Sequence, residues 1–261
     1  MSTYFSDVET EERLIELEKT INEEYSSAYA ELKVKADEYF LELEERLKDE
    51  EQAYISGEIS QEDWIRIKQS QIGMGERWAH LRDDMARRMV SANETAVAYV
   101  NGTTRGVYAM NAAFEAYRID QATGVAFNII NEDTVKILME NERNVKEFKV
   151  SARDDEGNVI PGQYTYRRLQ LNPVVDYEWN SGLIQKALTQ GILTGDRLDQ
   201  MADRFMEVQK RNRNAAIRNA RTAMTSAQNA GRMDTMLRAR DKARELGVDL
   251  EEKKEWMATK D

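Results

Sequence analysis

The chain has one histidine, His80, set between Ala79 and Leu81, and no cysteine in 261 residues. A zinc site needs three or four His, Cys or carboxylate ligands, and a hydrolytic triad needs a histidine held between a nucleophile and an acid. A lone helical histidine beside Trp78 offers neither, and it reads as structural. Carboxylates are plentiful, as in Glu44-Glu45 and Asp49-Glu50-Glu51. Their spacing puts them on an exposed helix face, without the apolar pocket that raises a carboxyl pKa for acid–base work. No Walker loop, Rossmann glycine pattern or Gly-x-Ser-x-Gly elbow is present. The expectation is a protein that is not an enzyme, with no cofactor, metal or small-molecule substrate.

Arginines carry the remaining chemistry. Arg204, Arg211 and Arg218 recur every seven residues, with Arg213, Arg221 and Arg232 nearby in a basic C-terminal stretch. Arginine rows at helical spacing can follow phosphates without reading sequence, weakly and with steep salt dependence. Against this stand a net charge of -11 and the lack of aromatics interleaved for base stacking. The other reading is that these arginines meet acidic protein: residues 7–63 hold roughly three acids for each base, and Asp199, Asp203 and Glu207 stand where intrahelical partners would. Double-stranded DNA and an acidic protein surface both remain open. Of the tryptophans, Trp64, Trp78 and Trp179 read as core or hairpin anchors. Trp256, after the polar run Glu251-Glu252-Lys253-Lys254-Glu255, either docks back on the body or belongs to an interface.

These side chains must be positioned by helices. Leu14, Leu17, Ile21, Tyr25, Ala28, Leu32, Ala36, Tyr39, Leu43 and Leu47 follow steps of 3-4-4, an eleven-residue repeat of about 3.67 residues per turn. The spacing predicts one helix over 10–53, with a stripe too narrow to be stable without a partner helix. Gly57 supplies a stop, and Ser60-Gln61-Glu62-Asp63 an N-terminal capping signal. Trp64, Ile67 and Ile72 then lead into Trp78, Leu81, Met85, Met89, Ala92, Ala96 and Val100, with a kink or short break near Met74 between Gly73 and Gly75. The pair makes a long antiparallel hairpin whose second helix stops near Gly102.

Residues 103–180 are less regular. Short helices are predicted over 110–117 and 132–142. Alternation in Glu147-Phe148-Lys149-Val150-Ser151 and Gln163-Tyr164-Thr165-Tyr166, around the turn cluster Asp154-Asp155-Glu156-Gly157-Asn158, predicts a β-hairpin. Asn172-Pro173 closes this segment. Helices are expected over 182–190, ending at Gly191, and after the cap Thr194-Gly195-Asp196, with Leu198, Met201, Ala202 and Phe205 as the apolar face. After a break near Arg211-Asn212, a long helix runs over 214–245, thin in its first half through Ala215, Ala216, Ala220, Ala223, Ala227 and Ala230. The fold class is mainly α: an acidic helical hairpin over 1–102, a mixed α/β segment over 103–180, a helical core with basic helices over 181–247 and a terminal segment over 248–261. Only 2 prolines agree with that. No secretory leader is visible and no apolar stretch approaches the ~20 residues that cross a bilayer, so a soluble protein made in a cytosol, without membrane contact, is expected.

Three runs make the C-terminal third recognisable: Asn212-Arg213-Asn214-Ala215-Ala216-Ile217-Arg218-Asn219-Ala220-Arg221-Thr222, then Ala227-Gln228-Asn229-Ala230-Gly231-Arg232, then Glu255-Trp256-Met257-Ala258-Thr259-Lys260-Asp261. With the Gly191-Ile192-Leu193-Thr194-Gly195 turn before them, they resemble the phage head-morphogenesis family, the minor head or Mu F-like proteins. The resemblance covers 180–261 and is diffuse before it. It implies a structural virion component, inside the capsid near the portal, made in the host cytoplasm. Portal, capsid or scaffold subunits would be its partners, with non-specific contact to packaged DNA. Family members usually continue past the aspartate matching Asp261 into a segment bearing Arg and His, which makes the terminal segment short by comparison. The alternative from the residues alone is a non-viral cytoplasmic coiled-coil adaptor, motivated by the acidic hairpin.

Overall fold

The computed structural model of the chain describes residues 5–72, 75–124 and 169–248. Among these residues there are six helices and no strand: α1 Phe5–Arg46, α2 Lys48–Ile55, α3 Gln61–Gln71, α4 Gly75–Thr123, α5 Pro173–Thr194 and α6 Leu198–Glu245. The mainly α class is therefore observed. The expected β-hairpin at 147–166, the helix over 132–142 and Trp256 lie outside the described residues.

Contacts divide the chain into two compact units. One is built from Ile15–Val100 and Leu169–Ala220; the other from parts of Met1–Leu14, Asn101–Arg168 and Arg221–Asp261.

The first unit has an apolar core. The 3-4-4 stripe from Leu17 to Leu43 is its α1 face, and every position of it, with Leu47 just beyond the helix, is buried. Trp78, Leu81, Met85, Met89, Ala92, Ala96 and Val100 bury the facing stripe of α4. The pairing is antiparallel, because Glu42 meets Arg77, Lys35 meets Asp84 at 2.7 Å, Glu31 meets Arg88 at 2.7 Å, and Tyr25 meets Asn93 at 3.4 Å. The partner helices that so narrow a stripe needs are in the chain itself: Ile184 and Leu188 of α5 and Met201, Phe205 and Met206 of α6 join the same core. Phe205 is its centre, 5.7 Å from both Phe40 and Trp78 by ring centroid. The Trp78 indole N–H is satisfied by Gln185 Oε1 at 3.0 Å.

Helix ends follow local chemistry more closely than expected in places and less in others. Leu47 interrupts the predicted 10–53 helix for one residue at φ -92°, ψ 2°, yet Glu51 N–H still donates to its carbonyl at 2.9 Å, so the chain kinks without stopping. Gly57 ends α2 at φ 81°, a left-handed value that costs glycine nothing, and Glu58 N–H reaches back to the Ala53 carbonyl at 2.8 Å. Ser60 caps α3 by accepting from Asp63 N–H at 3.1 Å. Ser60→Ala is expected to cost about 1 kcal/mol, read in a urea melt as a lower midpoint with an unchanged slope. Between α3 and α4 the expected break is present: Ile72 is extended and Gly75 has φ 84°.

Four boundaries differ from the sequence reading. α4 does not stop near Gly102 but continues to Thr123, absorbing the helix expected over 110–117. An interior glycine costs a helix only ~1 kcal/mol, which packing of the following turns outweighs. Asn172-Pro173 opens α5 instead of closing a segment: Asn172 caps it, accepting from Val175 N–H at 3.4 Å, and Pro173 occupies the first turn, where its missing N–H has no helical partner to lose. Gly191, expected as a helix end, is buried inside α5, whose end is Gly195. Lastly, α6 runs unbroken through Arg211-Asn212; the Asn212 side chain is engaged elsewhere, donating to Asn180 Oδ1 of α5 at 2.7 Å.

Candidate partner and nucleic-acid interface

The six arginines fall into both units and onto more than one face of α6. In the apolar unit, positions seven apart drift by only about 20° at 100° per residue, so Arg204, Arg211 and Arg218 share a side of α6, whereas Arg213 lies opposite Arg204. Arg204 is half-buried and bound to Asp196, with Thr194 Oγ1 3.0 Å from its Nη2. That guanidinium, helped by the Thr194 hydroxyl, holds the Asp196 carboxyl below its usual range. Arg211 is exposed and, with Arg204, Lys186 and Glu207, lines a cavity of about 190 Å³ between α5 and α6. Arg218 is exposed and has a partner.

The acids expected to serve these arginines along the helix serve other cations. Asp199 meets Arg197 at 3.2 Å, Asp203 meets Lys33 of α1 at 3.6 Å, and Glu207 pairs with Lys210. Three α1 acids are matched from α4: Arg88 reaches Glu24 at 2.8 Å and Glu31 at 2.7 Å, and Arg77 pairs with Glu42. Arg88 lowers the Glu31 pKa by hydrogen bonding directly to it.

Arg213 stands apart. Its Nε is buried without a hydrogen-bond acceptor, and it lines a second cavity of about 230 Å³ with Tyr25, Ser26 and Tyr29 of α1 and Gln209 and Lys210 of α6.

In the second unit Arg221 is exposed and has a partner, and Arg232 is the hub of a buried polar layer. Its Nε donates to Asn111 Oδ1 at 3.1 Å, and its Nη2 donates to Ser6 Oγ at 2.8 Å and to Asp7. Asn111 Nδ2 donates in turn to Thr10 Oγ1 at 3.1 Å, and Gln228 Nε2 to Asp7 Oδ1 at 2.7 Å. A second set sits alongside: Tyr108 and Arg238 both donate to Asp234 Oδ2, at 2.9 and 2.8 Å. Ser6, Thr10, Asn111, Glu115 and Asp234 are all buried. Many of the apolar residues buried with them are alanines, beside Val107 and Met224, and Ala116, Ala239 and Ala243 form one cluster. Ser6, Asp7, Thr10, Tyr108, Asn111, Glu115 and Asp234 were not singled out from sequence. A signal was available: stepping back by fours from Leu14 lands on Thr10 and Ser6, polar residues on the buried stripe.

Glu115 is the costly member of this layer. It is 1% exposed, its Oε2 has no partner among the described residues, and its nearest cation, Arg118, is 3.7 Å away. Burial raises its pKa, against the opposing pull of Arg118 and Arg232. An acid raised in the folded state favours folding while protonated. That contribution is whole below the unfolded value of 4.5 and is lost as pH rises through the folded value. Glu115→Gln removes the dependence. The variant's Tm should match the wild type near pH 4 and exceed it increasingly toward pH 7, a difference read by calorimetry; a constant difference would contradict the assignment.

The remaining candidates are scattered. His80 is exposed, Trp64 is half-buried and stacks on Tyr54 at 6.2 Å, Trp78 is buried, and Trp179 is exposed. Glu44, Glu45 and Glu51 line an open groove of about 570 Å³, but Lys48, Lys68 and Arg197 alternate with them. No group of acids and histidines among the described residues could hold a metal ion, and no described helix is long and apolar enough to cross a membrane. Compared with family models, curated proteins and solved structures, the chain matches none.

Proposed function

We propose that the chain is a structural component of a tailed-phage particle, a minor head protein that acts in capsid assembly near the portal. The observation that carries this reading is the likeness of 212–232, with the turn at 191–195, to the head-morphogenesis proteins. In this reading portal, capsid or scaffold subunits are the partners, and the exposed Arg211, Arg218 and Arg221 are the side chains that would meet an acidic surface or the phosphates of packaged DNA. Arg204 and Arg232 are half-buried, so they are the weaker candidates for an outside partner. The chain would work by position and contact, without a catalytic step, within the virion and in the host cytoplasm during assembly.

The second reading, a cytoplasmic coiled-coil adaptor, takes its support from the acidic 3-4-4 hairpin. An adaptor would need that stripe open to a partner helix, whereas α5 and α6 occupy it here. Mass spectrometry of purified particles separates the two: the virion reading expects this protein in assembled heads. Its absence from both mature and immature heads would remove that reading.

A further inference from the structure

We propose that the cavity between Tyr25, Ser26 and Tyr29 of α1 and Gln209, Lys210 and Arg213 of α6 binds one nucleoside phosphate. The proposal stands whether or not the chain belongs to a phage particle. Several independent features meet in this place. Arg213 is the one sequence-selected arginine with a buried nitrogen lacking an acceptor, and no described acid forms an ion pair with it. Arg213 as a whole is half-buried and no described anion is paired with it, so an arriving oxyanion would gain both charge and geometry from its planar fork. Lys210 adds a second cation on the same rim, tied only to Glu207 three residues before it. The opposite wall is aromatic. Tyr29 is half-buried, and Tyr25 is buried, where burial, then Asp176 and Glu24, raise its pKa above the ordinary phenol value. Gln209 is 1% exposed; its amide N–H faces the Tyr25 carbonyl at 3.4 Å, which fixes the amide's orientation and leaves Oε1 without a donor.

Cations opposite phenol rings beside an unmet acceptor suit a ligand with a phosphate, a planar ring and an N–H. A volume of about 230 Å³ is below that of a drug-sized site. It takes one nucleotide unit, and a paired duplex cannot present its bases there. Two sources supply this chemistry, a free mononucleotide and a unit of a single strand.

Calorimetric titration of the full chain with dAMP, deoxyadenosine, inorganic phosphate and a five-nucleotide deoxyadenylate tests the site. Saturable dAMP binding is expected, at least tenfold tighter than deoxyadenosine or phosphate alone. Arg213→Met and Tyr29→Ala should each weaken it at least tenfold, and Lys35→Met, which removes a cation of the same unit outside the cavity, should not. Tighter binding of the oligonucleotide would identify the single strand as the source, and tighter binding of dAMP the free nucleotide. Arg213→Met should also keep or raise the Tm, since it removes a buried nitrogen with no acceptor. No saturable binding, binding unchanged by Arg213→Met, phosphate as tight as dAMP, or a Tm clearly lowered by Arg213→Met would each overturn the proposal.

Discussion

Replacing Gly231 by alanine is expected to destabilise the protein by about 3 kcal/mol or more, a Tm loss of roughly 6 °C or more for a domain of this size. The direction is opposite to the usual one, because an alanine in a helix interior is ordinarily better than glycine by ~1 kcal/mol. Here α6 crosses α4 with backbone against backbone. A Cβ on Gly231 would overlap the Tyr108 carbonyl oxygen and stand 3.1 Å from the Ala112 nitrogen. Neither atom belongs to a flexible side chain, so the helices themselves must part. Parting them would also break the Thr235 hydroxyl bond to the Ala112 carbonyl, now 3.1 Å. Gly182→Ala is the control. That glycine is exposed inside α5 with nothing near its absent Cβ, and the substitution should be neutral or stabilising. Urea melts of both variants, with hydrogen exchange at Tyr108 and Ala112, check the pair. Equal behaviour of the two would show that the close crossing does not exist.

The second large effect belongs to Arg232. Arg232→Met is expected to cost about 2 to 3 kcal/mol. This lies between the ~0–1 of an exposed ion pair and the ~3–5 of breaking a fully buried one, since the side chains of Arg232 and Asp7 keep 23% and 35% exposure. The substitution leaves Asn111 Oδ1 and Ser6 Oγ without their donor, and Asp7 with Gln228 alone. Arg232→Lys should recover only part of the loss, because a single ammonium cannot span Asn111, Ser6 and Asp7 as the fork does. A double-mutant cycle with Asp7→Asn should return a coupling of about 1 kcal/mol or more. If Arg232 served only a partner outside the chain, its loss would leave the urea midpoint in place and alter partner binding alone.

Both effects involve residues of the run Ala227-Gln228-Asn229-Ala230-Gly231-Arg232, on which part of the family resemblance rests. In this fold Gly231 allows the close approach, Ala227 and Ala230 are buried, and Gln228 and Arg232 reach across to Asp7. Likeness in such a run is therefore likeness of packing as well as of any contact with a partner. An assembly assay should thus be paired with a stability measurement for every variant there, since loss of function through unfolding would otherwise pass for loss of an interface.

The helical character, the antiparallel hairpin and its buried stripes were legible in the amino-acid order, because a 3-4-4 repeat of apolar residues has only one way to hide from water. The same holds for the stop at Gly57 and the cap at Ser60, which act over a few bonds. Helix lengths were not legible. Gly102, Gly191 and Arg211-Asn212 look like ends, yet the local cost is ~1 kcal/mol for a glycine and less for Arg or Asn, and burial of the following turns exceeds it. The fate of each arginine was hidden for a different reason. Helical spacing sets the direction of a side chain, but its partner comes from another helix: Asp7 for Arg232, the turn acid Asp196 for Arg204, and no described acid for Arg213. Periodicity, a property of one segment, settled which faces are buried. Charge compensation joins residues as distant in sequence as Asp7 and Arg232, and only the assembled helices decided it.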